Sequence, residues 1–402
     1  MNELLEGVRV VDLTQVVAGP YCTQLLGDLG ADIIKIESPA GDLQRTAMRG
    51  PDDQADSAAF MSLNRNKRSV VIDLTQPDGH AVFIDLVRKS DVLVENFRPG
   101  VTTKLGIDYA ALSTIQPSLV YATITGFGEG GPYASRPGLD LIAQAMSGII
   151  SVTGNPNESP VKCGVPVTDL AAGSFCAIGI LAALIARNTS GSGNHINTSL
   201  FEAGLALGVN ETASYWATGQ VPPPLGSSHR FAAPYQALRT EDGHITVGAG
   251  SQKLWTALCG AIQRTDLLDD ERFNTNLGRM RNRAALQVAL EATLASRTTD
   301  AWVDALLAAG VPAGPVLDYA QVVTDPHTLG LGMVVTMQHP QAGDIKAVAS
   351  PLQVAGHRPD VKYPPPLLGQ HTADVLEEFG IAPERIMRLA EMGVVAAPDR
   401  SA

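Results

Sequence analysis

Through the first 125 positions, short apolar runs alternate with amphipathic stretches. Residues 8–13 read as a strand, 21–29 as a short helix after Gly19-Pro20, and 32–37 as a second strand, which together make a βαβ unit. The pattern returns with strands at 69–74, 92–95 and 119–125 and helices at 79–89 and around 109–115. Strands alternating with helices predict an α/β fold built on a mostly parallel, doubly wound sheet. Helical periodicity then covers 139–150 and 169–186, the latter rich in small residues (Ala171, Ala172, Gly173, Ser174) that permit close helix packing. A strand at 195–200 leads into a helix at 201–216.

Three consecutive prolines, Pro222 to Pro224, break the pattern, because proline cannot sit inside a helix and favours an extended connection. Beyond that linker, 235–247 alternates like a hairpin turning at Glu241-Asp242-Gly243, followed by amphipathic helices at 252–262, 281–295 and 299–309. After Pro312-Ala313-Gly314-Pro315 the chain turns strand-like at 333–338 and 345–349, and a last helix covers 373–389. The organisation expected is a large domain over 1–220, a smaller α+β domain with its linkers over 221–325, and a return to the large domain over 326–402.

Composition narrows the function classes. Apolar residues make up 45% and charged residues 17%, ordinary globular values, and no run is read as reaching the roughly 20 apolar residues of a membrane span. The first seven residues show no basic segment followed by an apolar stretch, so neither a leader nor a membrane partner is expected, and the expected setting is cytoplasmic. The balance of 29 basic and 41 acidic residues, a net charge of −12, argues against nucleic-acid binding, which needs a basic face. Cys22, Cys163, Cys176 and Cys259 are widely spaced with no C-x-x-C, and read as reduced, mostly buried thiols.

Several segments carry candidate chemistry. The cluster at 126–131 fits G-x-G-x-x-G, but Pro132 and a further loop precede the next helix, so the context of a dinucleotide site fails. The basic run at 64–68 is either a solvated loop or a phosphate cradle. Asp169 opens a small-residue helix, which reads as an N-cap or as a carboxylate placed for chemistry at a helix N-terminus. Gly248 to Ser251 ends a strand with two glycines, as a plain turn or a loop approaching a ligand, and His229-Arg230 is a surface pair or an anion-binding pair.

In order along the chain, these segments resemble the family III CoA-transferases, a group that also holds α-methylacyl-CoA racemase. The carriers are V-x-D-L-T-x-V-x-A-G-P at 10–20, G-A-D-I-I-K-I-E at 30–37, N-R-N-K-R-S at 64–69, V-E-N-F-R-P-G at 94–100, G-F-G-x-x-G-P at 126–132, D-L-I-A-Q-A-M-S-G at 140–148 and P-V-T-D-L-A-x-G at 166–173. The resemblance implies a Rossmann-like large domain, a smaller domain, and two subunits interlocked as linked rings. It puts the nucleophile at Asp169, attacking an acyl-CoA to form an aspartyl anhydride and then an aspartyl-CoA thioester. It puts CoA contacts at Val17, Ala18, Ile72, Asp73, Leu74, Thr75, Asn96, Phe97, Arg98, Lys104, Gly138, Leu139 and Asp140. Ser38 stands where formyl-CoA transferase has a phosphate-binding arginine, leaving Arg45 or Arg65 for that role.

Within the family, racemisation requires a histidine just before Asp140, where this chain has Leu139. Formyl-CoA transferase has glutamine at position 17 and an all-glycine loop where Gly248, Ala249, Gly250 and Ser251 stand here. The second half looks more like the transferases that use succinyl-CoA and a dicarboxylic acid, and His229 and Arg230 are expected to pair with the distal carboxylate of such an acid. Coenzyme A enters as part of the substrate, with no permanently bound cofactor and no metal expected. A homodimer is expected; the alternatives are a racemase or an idle CoA-binding subunit paired with a related chain.

Overall fold

A computed structural model of the chain describes residues 4–47 and 56–396; the outermost parts of the expected large domain, 1–3 and 397–402, and its segment 48–55 lie outside the described residues. The described residues form two compact units, the first made of those up to 149, 163–217 and those from 327 onward, the second of 150–162 and 218–326. In chain order the first unit begins β1 (Arg9–Asp12), α1 (Ala18–Asp28), β2 (Asp32–Glu37), α2 (Ala58–Leu63), β3 (Lys67–Val71), α3 (Pro77–Val87) and β4 (Val92–Glu95). It continues with α4 (Val101–Leu105), α5 (Tyr109–Ile115), β5 (Val120–Thr125) and α6 (Asp140–Met146); the short α7 (Ile149–Val152) passes into the second unit, and the first resumes with α8 (Val167–Ser190), β6 (His195–Ser199), α9 (Leu200–Leu207) and α10 (Val209–Thr218).

The six strands form one parallel sheet in the order β3-β2-β1-β4-β5-β6. Alternation sends Val10, Ile33, Val94 and Val120 to one face, where they meet Cys22, Leu26, Cys176 and Ile180 of α1 and α8. Val11, Ile34, Leu93 and Tyr121 point the other way, onto Phe83 and Leu86 of α3 and Leu112 of α5. With helices on both faces, the strands read as continuous apolar runs, which is why 32–37 and 92–95 are found where periodicity put them. The sheet confirms the expected α/β class.

Helix α8 corrects two readings. It starts at Val167, with Pro166 at the N-cap, so Asp169 lies in the first turn and caps nothing. It also extends to Ser190, and at 24 residues it is long and apolar enough by length and composition to cross a membrane, contrary to the expectation that no run reaches that size. One face of it is core: Ala172, Cys176, Ile180 and Ala183 are buried against the sheet and α1. Gly173 permits the close packing, since a Cβ there would stand 2.5 Å from the Ala18 carbonyl oxygen.

The second unit holds β7 (Tyr235–Arg239), β8 (His244–Gly248), α11 (Gln252–Ala261), α12 (Asp266–Asp269), α13 (Asn276–Arg281), α14 (Arg283–Leu294), α15 (Thr299–Ala308), β9 (Ala313–Pro315) and α16 (Tyr319–Val322). The expected hairpin gains a third antiparallel strand from Ala313–Pro315, a segment given no element in the sequence reading. Its helices bury Trp255, Phe273, Leu290 and Trp302 behind that sheet. The chain returns through α17 (Pro326–Gly330), the antiparallel pair β10 (Val334–His339) and β11 (Gly343–Val348), α18 (Thr372–Glu378) and α19 (Pro383–Glu391). Three expected helices are each divided: 139–150 at Gly148, 201–216 at Gly208, and 373–389 between Gly380 and Pro383, where a positive φ of 83° and a ring-locked residue end one helix and start the next.

Candidate active site

From β1 the chain winds outward through β2 to β3, and from β4 outward through β5 to β6, so the winding reverses between β1 and β4. Ligands of open parallel sheets settle at such a reversal, beyond the carboxyl ends of the strands. The residues expected to touch CoA lie along that edge. Val17 and Ala18 start α1 after β1; Ile72 to Thr75 follow β3; Asn96 to Arg98 follow β4, with Lys104 in α4; and Gly138 to Asp140 enter α6 after β5. Thr75, Arg98, Lys104 and Leu139 are exposed, whereas Ala18 and Ile72 are buried. Asn96 spans the reversal: Gln15 N–H donates to its Oδ1 at 2.9 Å and its Nδ2 donates to the Gln15 carbonyl at 2.8 Å. The glycine cluster after β5 has a packing cause, because a Cβ on Gly126 would lie 2.6 Å from Cα of Gly138.

Asp169 stands in the first turn of α8, partly buried, and its carboxylate accepts no hydrogen bond among the described residues. Burial and the neighbouring charge of Asp140 push it up to about 7. Asp140 is held on both oxygens, Oδ1 accepting from Thr168 N–H (3.1 Å) and Oγ1 (2.7 Å), and Oδ2 from Gln144 Nε2 (2.7 Å). One carboxylate is thus anchored and the next left bare. A bare, desolvated carboxylate is the more reactive of the two, because no donor stabilises its anion.

In the second unit, Gly248, Gly250 and Ser251 line a cavity of about 590 Å³ with Ala232, Tyr235 and Pro312. Ser251 caps α11, its side chain accepting from Leu254 N–H. Ala249 is buried, its N–H donating to the Pro234 carbonyl at 2.7 Å. His229 stacks on Tyr235 at 4.8 Å and accepts from Phe231 N–H at Nδ1, while Arg230 Nη2 donates to the Pro223 carbonyl. Among the described residues no group of three His, Cys, Asp or Glu could hold a metal ion.

The model of CoA-transferase family III matches residues 5–372. The chain belongs to that family. This transferase is 37% identical over 399 residues to the human succinyl-CoA:glutarate CoA-transferase, covering 98% of the chain and 91% of the human protein. It is 39% identical over 382 residues to the acetyl-CoA:oxalate CoA-transferase of Acetobacter aceti, covering 94% and 96%. A crystal structure of a CaiB/BaiF family protein from Brucella suis superposes with a TM-score of 0.86 at 37% identity, covering 94% of this chain and all of that one. The transferase is a CoA-transferase enzyme, as its relatives are.

The basic run at 64–68 is neither a solvated loop nor a free cradle. Asn64, Arg65, Asn66 and Lys67 are buried. Arg65 is paired with Asp28 at 2.6 Å and Arg45 with Glu37 at 2.7 Å, so neither of the two arginines expected to take phosphate is available for it. Lys67 reaches Asp12 (3.1 Å), Asn64 and the Pro20 carbonyl, and Lys35 reaches Asp42 (2.9 Å) and the Thr14 carbonyl. Sequence reasoning missed this network and also Arg279, which is fully buried and donates to the carbonyls of Ala233, Gly250 and Phe273. The signal for the network was present: Lys35 interrupts a strand of isoleucines that a parallel sheet buries on both faces.

Proposed function

We propose that the transferase moves CoA from an acyl-CoA, succinyl-CoA by preference, to a dicarboxylic acid, with Asp169 as the nucleophile. The observation that carries this reading is the bare, desolvated carboxylate at the start of α8. Asp169 attacks the thioester carbonyl, the C–S bond breaks, and an aspartyl–acyl anhydride and CoA thiolate result. The thiolate attacks the aspartyl carbonyl, releasing the donor acid as its carboxylate and leaving an aspartyl-CoA thioester. The acceptor carboxylate repeats the two steps in reverse, leaving as its CoA thioester and returning Asp169 to the free carboxylate. No proton or electron is consumed overall. The residues along the carboxyl edge of the sheet hold CoA, and Gly248 to Ser251 with His229 and Arg230 receive the acid.

A diacid acceptor is supported by the relatives, since glutarate and oxalate are both dicarboxylic acids. A homodimer is supported by the apolar residues that α8, α9 and α10 leave exposed, among them Phe175, Ile178, Ile185, Leu205 and Trp216. The test is intact mass after mixing the protein with succinyl-CoA, followed by hydroxylamine or borohydride. An adduct of CoA size, or its trapped product, on Asp169 and missing from Asp169→Ala, is the expected result. No adduct with any of a panel of acyl-CoAs overturns the reading.

A further inference from the structure

The loop from β1 into α1 is held, peptide by peptide, by side chains. Thr14 N–H donates to Asp12 Oδ1 at 2.8 Å, and the Thr14 carbonyl accepts from Lys35 Nζ at 2.7 Å. Gln15 is gripped at both its N–H and its carbonyl by Asn96. Val16 N–H donates to Asp42 Oδ1 at 3.3 Å, and the other oxygen of Asp42 pairs with Lys35 at 2.9 Å. Asp42 is itself tied down, its own N–H donating to Glu37.

The residue at the centre of this grip is strained. Val16 has a φ of 70°, and a β-branched side chain in the left-handed region is strained, persisting only where its surroundings over-determine it. Glycine would make the same turn without strain. The strain sits where α1 begins: two residues on, the Ala18 carbonyl touches Gly173, and Asp169 precedes Gly173 by one turn of α8, about 6 Å along the axis. A valine, stiff in its side chain and forced into one backbone well, fixes that junction more tightly than glycine would.

We propose that Asp42 and Lys35 are positioning residues for the transfer reaction, holding the strained Val16 turn so that the Val17–Ala18 backbone stays fixed beside Asp169 when acyl-CoA binds. This rests on the reading of Asp169 as the nucleophile.

The experiment compares wild type, Val16→Gly, Asp42→Asn and the double variant in full-length protein, measuring Tm, KM for succinyl-CoA, kcat, and the rate of adduct formation on Asp169 by quenched intact mass. Val16→Gly should keep or raise Tm, leave KM close to wild type, and lower kcat by about ten- to a hundredfold, the cost of a reacting group no longer held in place. Asp42→Asn should lower kcat as well, and the double variant should lose no more than the worse single variant, because both act through one turn. Val16→Gly turning over at the wild-type rate, or losses that multiply in the double variant, overturns the proposal. If Asp42→Asn does not fold, the Val16→Gly result alone decides. A wild type with no adduct on Asp169 sinks the nucleophile reading, while the kcat comparison, which needs no adduct, still decides the role of the turn.

Discussion

Two loops given roles in the proposal above, one in each compact unit, are held in opposite ways. The loop at 14–18 has a valine where glycine would be at ease, fixed by side chains whose buried charges are balanced in pairs, Lys35 with Asp42 and Lys67 with Asp12. The loop at 248–251 has glycines and is held by backbone bonds from Gly248 to Pro312 and from Ala249 to Pro234, with one buried cation beside them: Arg279 donates to the Gly250 carbonyl at 3.0 Å and the Ala233 carbonyl at 2.6 Å, with no carboxylate paired to it among the described residues. Neither Gly248 nor Gly250 has a positive φ; Gly250 is required by space, since a Cβ would stand 2.5 Å from that of Ala232. Strain balanced by ion pairs fixes a backbone against a reacting group. Close approach under one unpaired cation holds the second loop without backbone strain.

The largest effect belongs to neither loop. Asp169→Asn should lower kcat by about 10⁴-fold, measured in a steady-state transfer assay, and leave both loops without a reaction to serve. Next come the two buried cations, whose removal separates the two designs. Lys35→Met strands Asp42 and should cost about 3–5 kcal/mol in urea unfolding, and Lys35→Met with Asp42→Leu should recover the part due to the stranded charge but not the part due to the Thr14 carbonyl and the Val16 and Gln44 N–H groups left without partners. Turnover should stay low in that double variant, because the grip on Val16 is gone. Arg279→Met should cost about 3 kcal/mol for the acceptors left unpaired, and a second substitution can relieve only the one at Gln252 Oε1, because the partners at Ala233, Gly250 and Phe273 are backbone carbonyls. Full recovery of Arg279→Met by a side-chain change would erase the contrast between the paired and the unpaired cation.

How much of this was legible in the sequence follows the same divide. The strands at 32–37 and 92–95 were readable because a strand buried on both faces is a short apolar run whatever surrounds it. Asp169 was singled out by its motif, but its place in the helix was not legible: α8 begins two residues earlier, beyond Pro166, and a proline at an N-cap carries no side-chain signal. The division of 201–216 turns on Gly208, a residue helices often tolerate, so periodicity ran through it. The ion network joins residues as far apart as Asp12 and Lys67, whose adjacency exists only once β1, β2 and β3 are aligned. Arg279 was invisible for a related reason, since an arginine in an amphipathic stretch reads as solvent-facing until the carbonyls that surround it are in place.

The smallest expected effect concerns how Asp169 is tuned. Its carboxyl is pushed up to about 7, first by burial and then by Asp140, so kcat/KM should fall as pH drops through about 7, where the nucleophile gains a proton. Asp140→Asn removes the second cause and leaves the first, so the acid limb should move to lower pH but stay above that of an exposed aspartate. The stability has the opposite sign. Because the folded value is raised, the folded state holds the proton more tightly than the unfolded chain does. This contribution is complete below the unfolded value of 3.8 and is lost as pH rises through about 7. Asp169→Asn should therefore be more stable than wild type at pH 8, by an amount that shrinks towards pH 4, as read by urea unfolding at the two values. An acid limb that stays put in Asp140→Asn would mean that burial alone sets the nucleophile, and that the anchored carboxylate next to it serves the start of α8 through Thr168 rather than the charge of Asp169.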